Sequence, residues 1–259
     1  MMHPACREIR TNILLASRAS GHGHIPTSFS IIELLEGVYQ TMKHDPLNPS
    51  WVQRDVFLLS KGHGALGLYA VLARHGYFPA EELKTFGAFG SRLGCHPDRL
   101  KVPGAEVSTG SLGHGIALAV GMALAFRMQR SARQAYTLVG DGESNEGSVW
   151  EAVMVAANLG LNNLTILYDH NHSQIRSLPI PNPADRFKAF GCHTIEVPGH
   201  DLEAIKAALA TPADRPKVIV GNTTKGHGCP SLANNVFEWH RKSPKPDELD
   251  RLLAELAQS

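Results

Sequence analysis

Long hydrophobic runs are missing from this 259-residue chain. Its most apolar stretch, IALAVGMALAF at 116–126, falls far short of the roughly 20 residues that a membrane-spanning helix needs, and it reads as a buried helix. A surplus of one charge is missing as well. Lysine and arginine total 25 against 24 acidic residues, a net charge of +1, so neither a nucleic-acid nor a membrane surface is signalled. Cysteine is sparse: Cys6, Cys95, Cys192 and Cys229 lie far apart with no C-x-x-C pair, which signals neither a disulfide framework nor a zinc site. Most are expected to be reduced thiols of the core or of a pocket. No internal repeat or low-complexity tract is present, and no G-x-G-x-x-G follows a first strand, which argues against a nicotinamide-binding domain. The opening MMHPACREIRTNILLASR sets charged residues ahead of any apolar run, the wrong order for a secretory leader. The expectation is a cytoplasmic protein.

What is present is ordinary in bulk and unusual in detail. Apolar residues make up 43% and charged residues 19%, as in globular proteins, and the length suits one large α/β domain or two small ones. Histidine stands out with 14 residues, many beside glycine: SGHGH, SKGHG, GCHPD, SLGHG and TKGHG. Glycine-flanked loops bring backbone close to a ligand, so their repetition points to a site. Apolar runs at 55–60, 135–140, 164–169, 193–198 and 217–222 predict strands. Between them, helical patterns run over 30–43, 65–76, 80–90, 115–129, 148–160 and 202–210, with a last amphipathic helix at about 246–257. Strands apolar throughout and alternating with helices predict a doubly wound α/β fold, a mostly parallel sheet with helices on both faces. Ligands of such sheets sit beyond the carboxyl ends of the strands, and SKGHG, GDG, DHNHSQ and TTKGHG each follow a predicted strand.

In YTLVGDGESNEGSVWEA, Asp141 stands between two glycines at the end of a strand, and Asn171 follows the next one. A carboxylate and an amide oxygen on adjacent strand ends suit a shared hard cation, which usually also holds phosphate. Gly142 would leave its N–H free for that phosphate, beside the positive end of the helix near Gly147. This pairing resembles the thiamine diphosphate motif, and the rest of the chain resembles transketolase, in particular the separately encoded N-terminal halves of split transketolases. SGHGHIPTS is similar to the family's Ser-Gly-His-Pro-Gly opening, SKGHG to its Ser-Lys-Gly-His, GCHPD to its Gly-His-Pro, and STGSLGHGIALAVGMALA to its Thr-Gly-Pro-Leu-Gly-Gln-Gly helix start. GDGESNEGSVWEA and KGHGCPSLANNVFEWH also resemble the split form. The likeness runs from about residue 5 to the C-terminus.

The resemblance implies a thiamine-diphosphate-binding fold of the diphosphate (PP) type: one domain over 1–259, with 222–259 a loop covering the active site and a C-terminal helix. It implies that Asp141, Asn171 and the carbonyl of Ser173 bind Mg²⁺, or Ca²⁺ or Mn²⁺ in its place. The Gly142 amide and His63 would hold the diphosphate, with His240 or a neighbour reaching it. Gly110, Ser111 and Leu112 would line the cofactor rings, and His22, His63 and His96 would face a sugar, their neutral imidazoles suited to hydrogen bonding and proton transfer. Glu146 matches a buried carboxylate near the family's dimer axis, although capping of the helix explains it nearly as well. The chain departs from the pattern at Gly23 and His24, at Ser111 and His114, and at His170 and His172, which flank Asn171.

The resemblance further implies a pyrimidine-binding domain that supplies a glutamate to the cofactor, and one diphosphate-binding domain uses up the 259 residues. The expected partner is a C-terminal transketolase-like subunit carrying the pyrimidine-binding and C-terminal domains, in an α₂β₂ heterotetramer with sites between subunits. The implied reaction transfers a two-carbon ketol unit from a ketose or ketose phosphate to an aldose. Two alternatives stay open. One is a subunit of a deoxyxylulose-phosphate synthase-like or 2-oxo acid dehydrogenase-like enzyme, against which the histidine loops favour sugars. The other is a noncatalytic binding module, against which the intact Asp141, Asn171, His63 and His96 speak.

Overall fold

A computed structural model describes residues 2–174 and 178–259. The five apolar runs become β1 (Val56–Leu59), β2 (Ala135–Gly140), β3 (Leu164–His170), β4 (His193–Pro198) and β5 (Lys217–Asn222). They form one parallel sheet in the order β1-β2-β3-β5-β4. Successive side chains of a strand point to opposite faces, and the cores divide accordingly. Phe57, Leu59, Leu138, Leu167 and Ile219 enter one core; Val56, Leu58, Val139, Ile166, Tyr168, Val218 and Val220 enter the other. At the sheet's edge, β4 departs from the expectation, because only Val197 of its six residues is buried.

Helices cover both faces. On the first lie α1 (Pro4–Ser20), α2 (Ile25–Ser30), α3 (Ile32–Thr41), α4 (Ala65–Arg74), α8 (Leu202–Ala210) and α10 (Pro246–Gln258). On the second lie α5 (His114–Met128), α6 (Gly147–Asn158) and α7 (Pro183–Ala189). A single turn, α9 (Pro230–Ala233), sits in the loop before α10. The pattern expected over 80–90 shortens to a 3₁₀ turn at Ala80–Thr85, because Gly87 and Gly90 adopt left-handed φ of 69° and 81° and end any helix there.

Although α5 and α6 pack against each other, their outward sides stay apolar: Leu118, Met128, Met154, Val155 and Leu159 are exposed. A helix apolar on all sides is ordinarily buried. No helix among the described residues is long and apolar enough to cross a membrane, and all four cysteines are free, with only Cys95 exposed.

Candidate active site

The carboxyl ends of β1, β2, β3 and β5 bring the SKGHG, GDG, DHNHS and TTKGHG segments to one side of the sheet. Two contacts explain why glycine is needed there. A Cβ on Gly62 would fall 2.8 Å from the backbone nitrogen of Gly110, and one on Gly140 would fall 3.2 Å from Lys61 Cδ. The first lets two loops cross in contact. The second lets Lys61 run over the tip of β2 to its partner Asp169.

Asp141 is 2% exposed. Its Oδ2 accepts the Ser173 N–H at 2.9 Å and its Oδ1 accepts the Ser173 hydroxyl at 2.5 Å. The same N–H lies 3.0 Å from Asn171 Oδ1, so one donor touches an oxygen from each of two adjacent strand ends. The left-handed φ of 57° at His172 makes the turn between Asn171 and Ser173. Converging carboxylate and amide oxygens suit a hard cation, and these residues fit one. Ser173 meets Asp141 through its N–H and hydroxyl, donors that satisfy the buried carboxylate and whose place a cation would take. One detail differs from expectation: the N–H of Gly142 is not free, since it donates to Asp141 Oδ1 at 2.6 Å.

Behind these converging oxygens lie two buried carboxylates that the motifs do not single out. Asp169 is 0% exposed and accepts from the Lys61 ammonium, the Ser30 hydroxyl, the Thr223 hydroxyl and the Asn171 amide. Burial pushes its carboxyl up, and Lys61 draws it back below the ordinary value. Glu143 accepts the Ser60 hydroxyl at 2.6 Å, the Gly113 N–H at 3.0 Å and the Gly140 N–H at 3.1 Å. It thereby ties the ends of β1 and β2 to the start of α5; burial raises its pKa, against the pull of these donors.

In front of them opens a cleft of about 580 Å³ lined by His63, Asn171, Ser173, Lys225, Phe237 and His240 among others. His24 turns its ring edge toward His63 at 5.7 Å and toward His240 at 5.1 Å. Burial, then Lys61, lowers His63 to about 3; burial, then His240, lowers His24 to about 4. These imidazoles are therefore neutral at physiological pH and weaker bases than the near-neutral values expected from sequence. Lys225 has no ion pair or hydrogen bond among the described residues. Burial, then Lys61, lowers its pKa, while Asp169 and Asp141 oppose the shift. An uncommitted ammonium on the wall of a cleft is a ready partner for an anion.

The TKGHG segment draws attention for its histidine, but the lysine is what faces the cleft. His227 instead stacks on His200 with ring centroids 3.6 Å apart. His96 lies on the opposite loop, where a Cβ on Gly110 would sit 3.4 Å from its ring; Ser111 is exposed and Leu112 half-buried. His22 packs on Phe86 at 5.1 Å and sets Nδ1 3.9 Å from Cys95 Sγ. Of the two histidines beside Asn171, His170 bonds Asn222 and touches the His172 ring. His114 is the exposed first residue of α5. Glu146 occupies the N-cap position of α6 but makes no side-chain cap bond and is exposed, so capping does not account for it.

A family profile described as the transketolase thiamine diphosphate binding domain matches residues 5–256. An apulose-4-phosphate transketolase subunit of Actinobacillus succinogenes is 39% identical over 255 residues, covering 95% of this chain and 92% of that protein. The 6-deoxy-6-sulfo-D-fructose transketolase subunit SqwG of a Clostridium species is 42% identical over 245 residues, covering 91% and 89%. Among solved structures, transketolase from Pichia stipitis in complex with sedoheptulose 7-phosphate superposes with a TM-score of 0.90 at 31% identity. The match covers 98% of this chain but 40% of that one.

Proposed function

The chain belongs to the transketolase family, through its thiamine diphosphate-binding domain, and on that premise we propose that it is the first of two subunits of a divided transketolase. The carrying observation is the single Ser173 N–H shared by Asp141 and Asn171 at neighbouring strand ends. In this reading Asp141, Asn171 and Ser173 hold Mg²⁺, while His63, His240 and Lys225 border the diphosphate in the cleft beside it. Gly110, Ser111 and Leu112 line the organic rings. When bound, thiamine diphosphate supplies the electron sink for C–C cleavage.

The chain's own residues supply position and hydrogen bonding. His63 and His24, held neutral by burial, present imidazoles that donate or accept without adding charge to the cleft. His96 on the opposite loop, and His22 in the turn between α1 and α2 that also carries His24, flank the sugar as orienting groups and proton carriers for its hydroxyls. Segment 222–240 walls the cleft with Thr223, Phe237 and His240, and α10 anchors it by packing on α1. The reaction proposed is ketol transfer from a ketose or its phosphate to an aldose. Relatives that are themselves named as transketolase subunits, and the 40% share of a solved transketolase that this chain spans, support a complementary chain bearing the remaining domains. The exposed apolar sides of α5 and α6 and the exposed Glu146 beside them are where we place that contact, in an α₂β₂ assembly.

The test is to assay the two chains alone and mixed, with xylulose 5-phosphate and pyruvate as competing donors. Ketol transfer only in the mixture, from the sugar, is the expected result. Turnover by this chain alone defeats the two-subunit reading, and use of pyruvate alone moves the chain to another thiamine diphosphate enzyme.

A further inference from the structure

Asp169 lies beneath the cleft without lining it, and its pairing with Lys61 does not account for the rest of its contacts. Its four donors come from four separate segments. They are the Ser30 hydroxyl of α2 at 2.9 Å, the Lys61 ammonium after β1, the Asn171 amide nitrogen at 2.6 Å, and the Thr223 hydroxyl after β5. A carboxylate paired with an ammonium offers acceptors only, so the half of the Asn171 amide that faces it must be the NH₂. The amide oxygen is thereby turned the other way, toward the Ser173 N–H that it shares with Asp141.

We propose that Asp169 is a positioning residue that fixes the Asn171 amide so that its oxygen, never its nitrogen, is offered together with Asp141 to a divalent cation. This rests on the reading of Asp141 and Asn171 as cation ligands. An amide nitrogen has no free lone pair for a hard cation and carries its hydrogens outward, so a flipped Asn171 would lose one ligand and repel the ion. Ser30 and Lys61 share Oδ2 with Asn171, while Thr223 meets Oδ1; Lys61 offers donors only, whereas the Asn171 amide has two ways to turn.

The experiment titrates Mn²⁺ into the full chain in the presence of inorganic pyrophosphate, read by calorimetry and by the Mn²⁺ resonance signal. Asp169→Asn sets an amide against an amide and lets both orientations of Asn171 find a bond, so Mn²⁺ affinity falls by roughly 10–100-fold. Adding Asn171→Asp in that background restores affinity, because a carboxylate offers oxygen whichever way it turns. Alone, Asn171→Asp faces Asp169 with a second carboxylate and weakens Mn²⁺ binding. This reversal of sign between backgrounds is not what a purely structural role produces. If Asp169→Asn fails to fold, the single Asn171→Asp variant carries the test, and tighter Mn²⁺ binding than wild type overturns the proposal. Equal affinity in wild type and a folded Asp169→Asn variant overturns it as well. A wild-type chain that binds no Mn²⁺ with pyrophosphate overturns the cation reading itself, a result distinct from either of these.

Discussion

Glu33 and Asp169 are both carboxylates buried against a buried cation, yet one closes a structural junction while the other supports an open site. Glu33 takes Arg10 in a two-pronged pair at 2.6 and 2.8 Å, with both residues almost wholly enclosed. His200 adds a third bond at 2.9 Å through Nδ1 and accepts the Thr224 N–H at 2.8 Å through Nε2. Glu33, His200 and His227 set their potential ligand atoms within 4.8 Å of one another, the composition of a metal site. Glu33 and His200 are already committed, however, because Arg10 engages both carboxylate oxygens and both ring nitrogens of His200 have partners. Around Asp169 the committed bonds face inward, and the oxygens of Asn171 and Asp141 hold the exchangeable donors of Ser173 and the Gly142 N–H. Proximity of ligating atoms therefore says less about a site than the number of lone pairs left uncommitted.

Substitutions at the two carboxylate clusters should separate them. The largest effect is expected from Glu33→Gln, which leaves Arg10 buried without its counter-charge and costs about 3–5 kcal/mol of stability, measured by urea denaturation, with no direct loss of a cleft ligand. The same pair governs acid sensitivity. Burial raises the Glu33 carboxyl, but Arg10 pulls it far below the ordinary value. Its contribution is thus present above the usual carboxylate pKa of about 4 and is lost as pH falls toward the depressed folded value. The melting temperature should fall on acidification through that window, and the Glu33→Gln chain should lose this part of the slope. Asp141→Asn should show the opposite division, with Mn²⁺-dependent pyrophosphate binding lost and urea stability little changed. A variant that lost both together would erase the distinction between the clusters.

Smaller effects sharpen the comparison within the cleft. Lys225→Met should weaken pyrophosphate by about 1.5–3 kcal/mol, the range of a charge-assisted hydrogen bond, as measured by calorimetry. An unchanged affinity would mean that the ammonium does not meet the anion. The smallest signal is spectroscopic. With pKa values pushed down to about 3 and about 4, the rings of His63 and His24 should remain neutral at pH 5 in a nitrogen NMR titration, where an unperturbed histidine is largely protonated.

All five strands are legible from sequence: β1, β2, β3 and β5, buried on both faces, carry continuous apolar runs, while the edge strand β4 shows through Ile195 and Val197 alone, although only Val197 is buried. Less legible is α1, whose Ile9, Ile13 and Leu14 show helical spacing between Pro4 and Gly21 but are interleaved with Arg7, Glu8 and Arg10. Arg10 itself is buried, a destination set by Glu33 on another helix. The stretch 80–90 misleads the other way: its apolar spacing is helical, and two left-handed glycines decide otherwise. In the site, Asp141, Asn171 and His63 can be found because each sits in a motif at a strand end. Asp169, Glu143 and Lys225 cannot be weighed in the same way. Their importance depends on which donors distant segments deliver, or, for Lys225, on no described segment delivering a partner.

The oily flank left on α5 and α6 has a consequence for how such a chain must be made. Leu118, Met154 and Val155 face water, and if, as proposed, a complementary chain covers them, any surplus of this polypeptide over that chain is material for self-association. Binding of a complement to the folded form alone stabilises it by mass action, so balanced synthesis of the two chains would set the yield of usable protein. Purification without the complement would then select for aggregates.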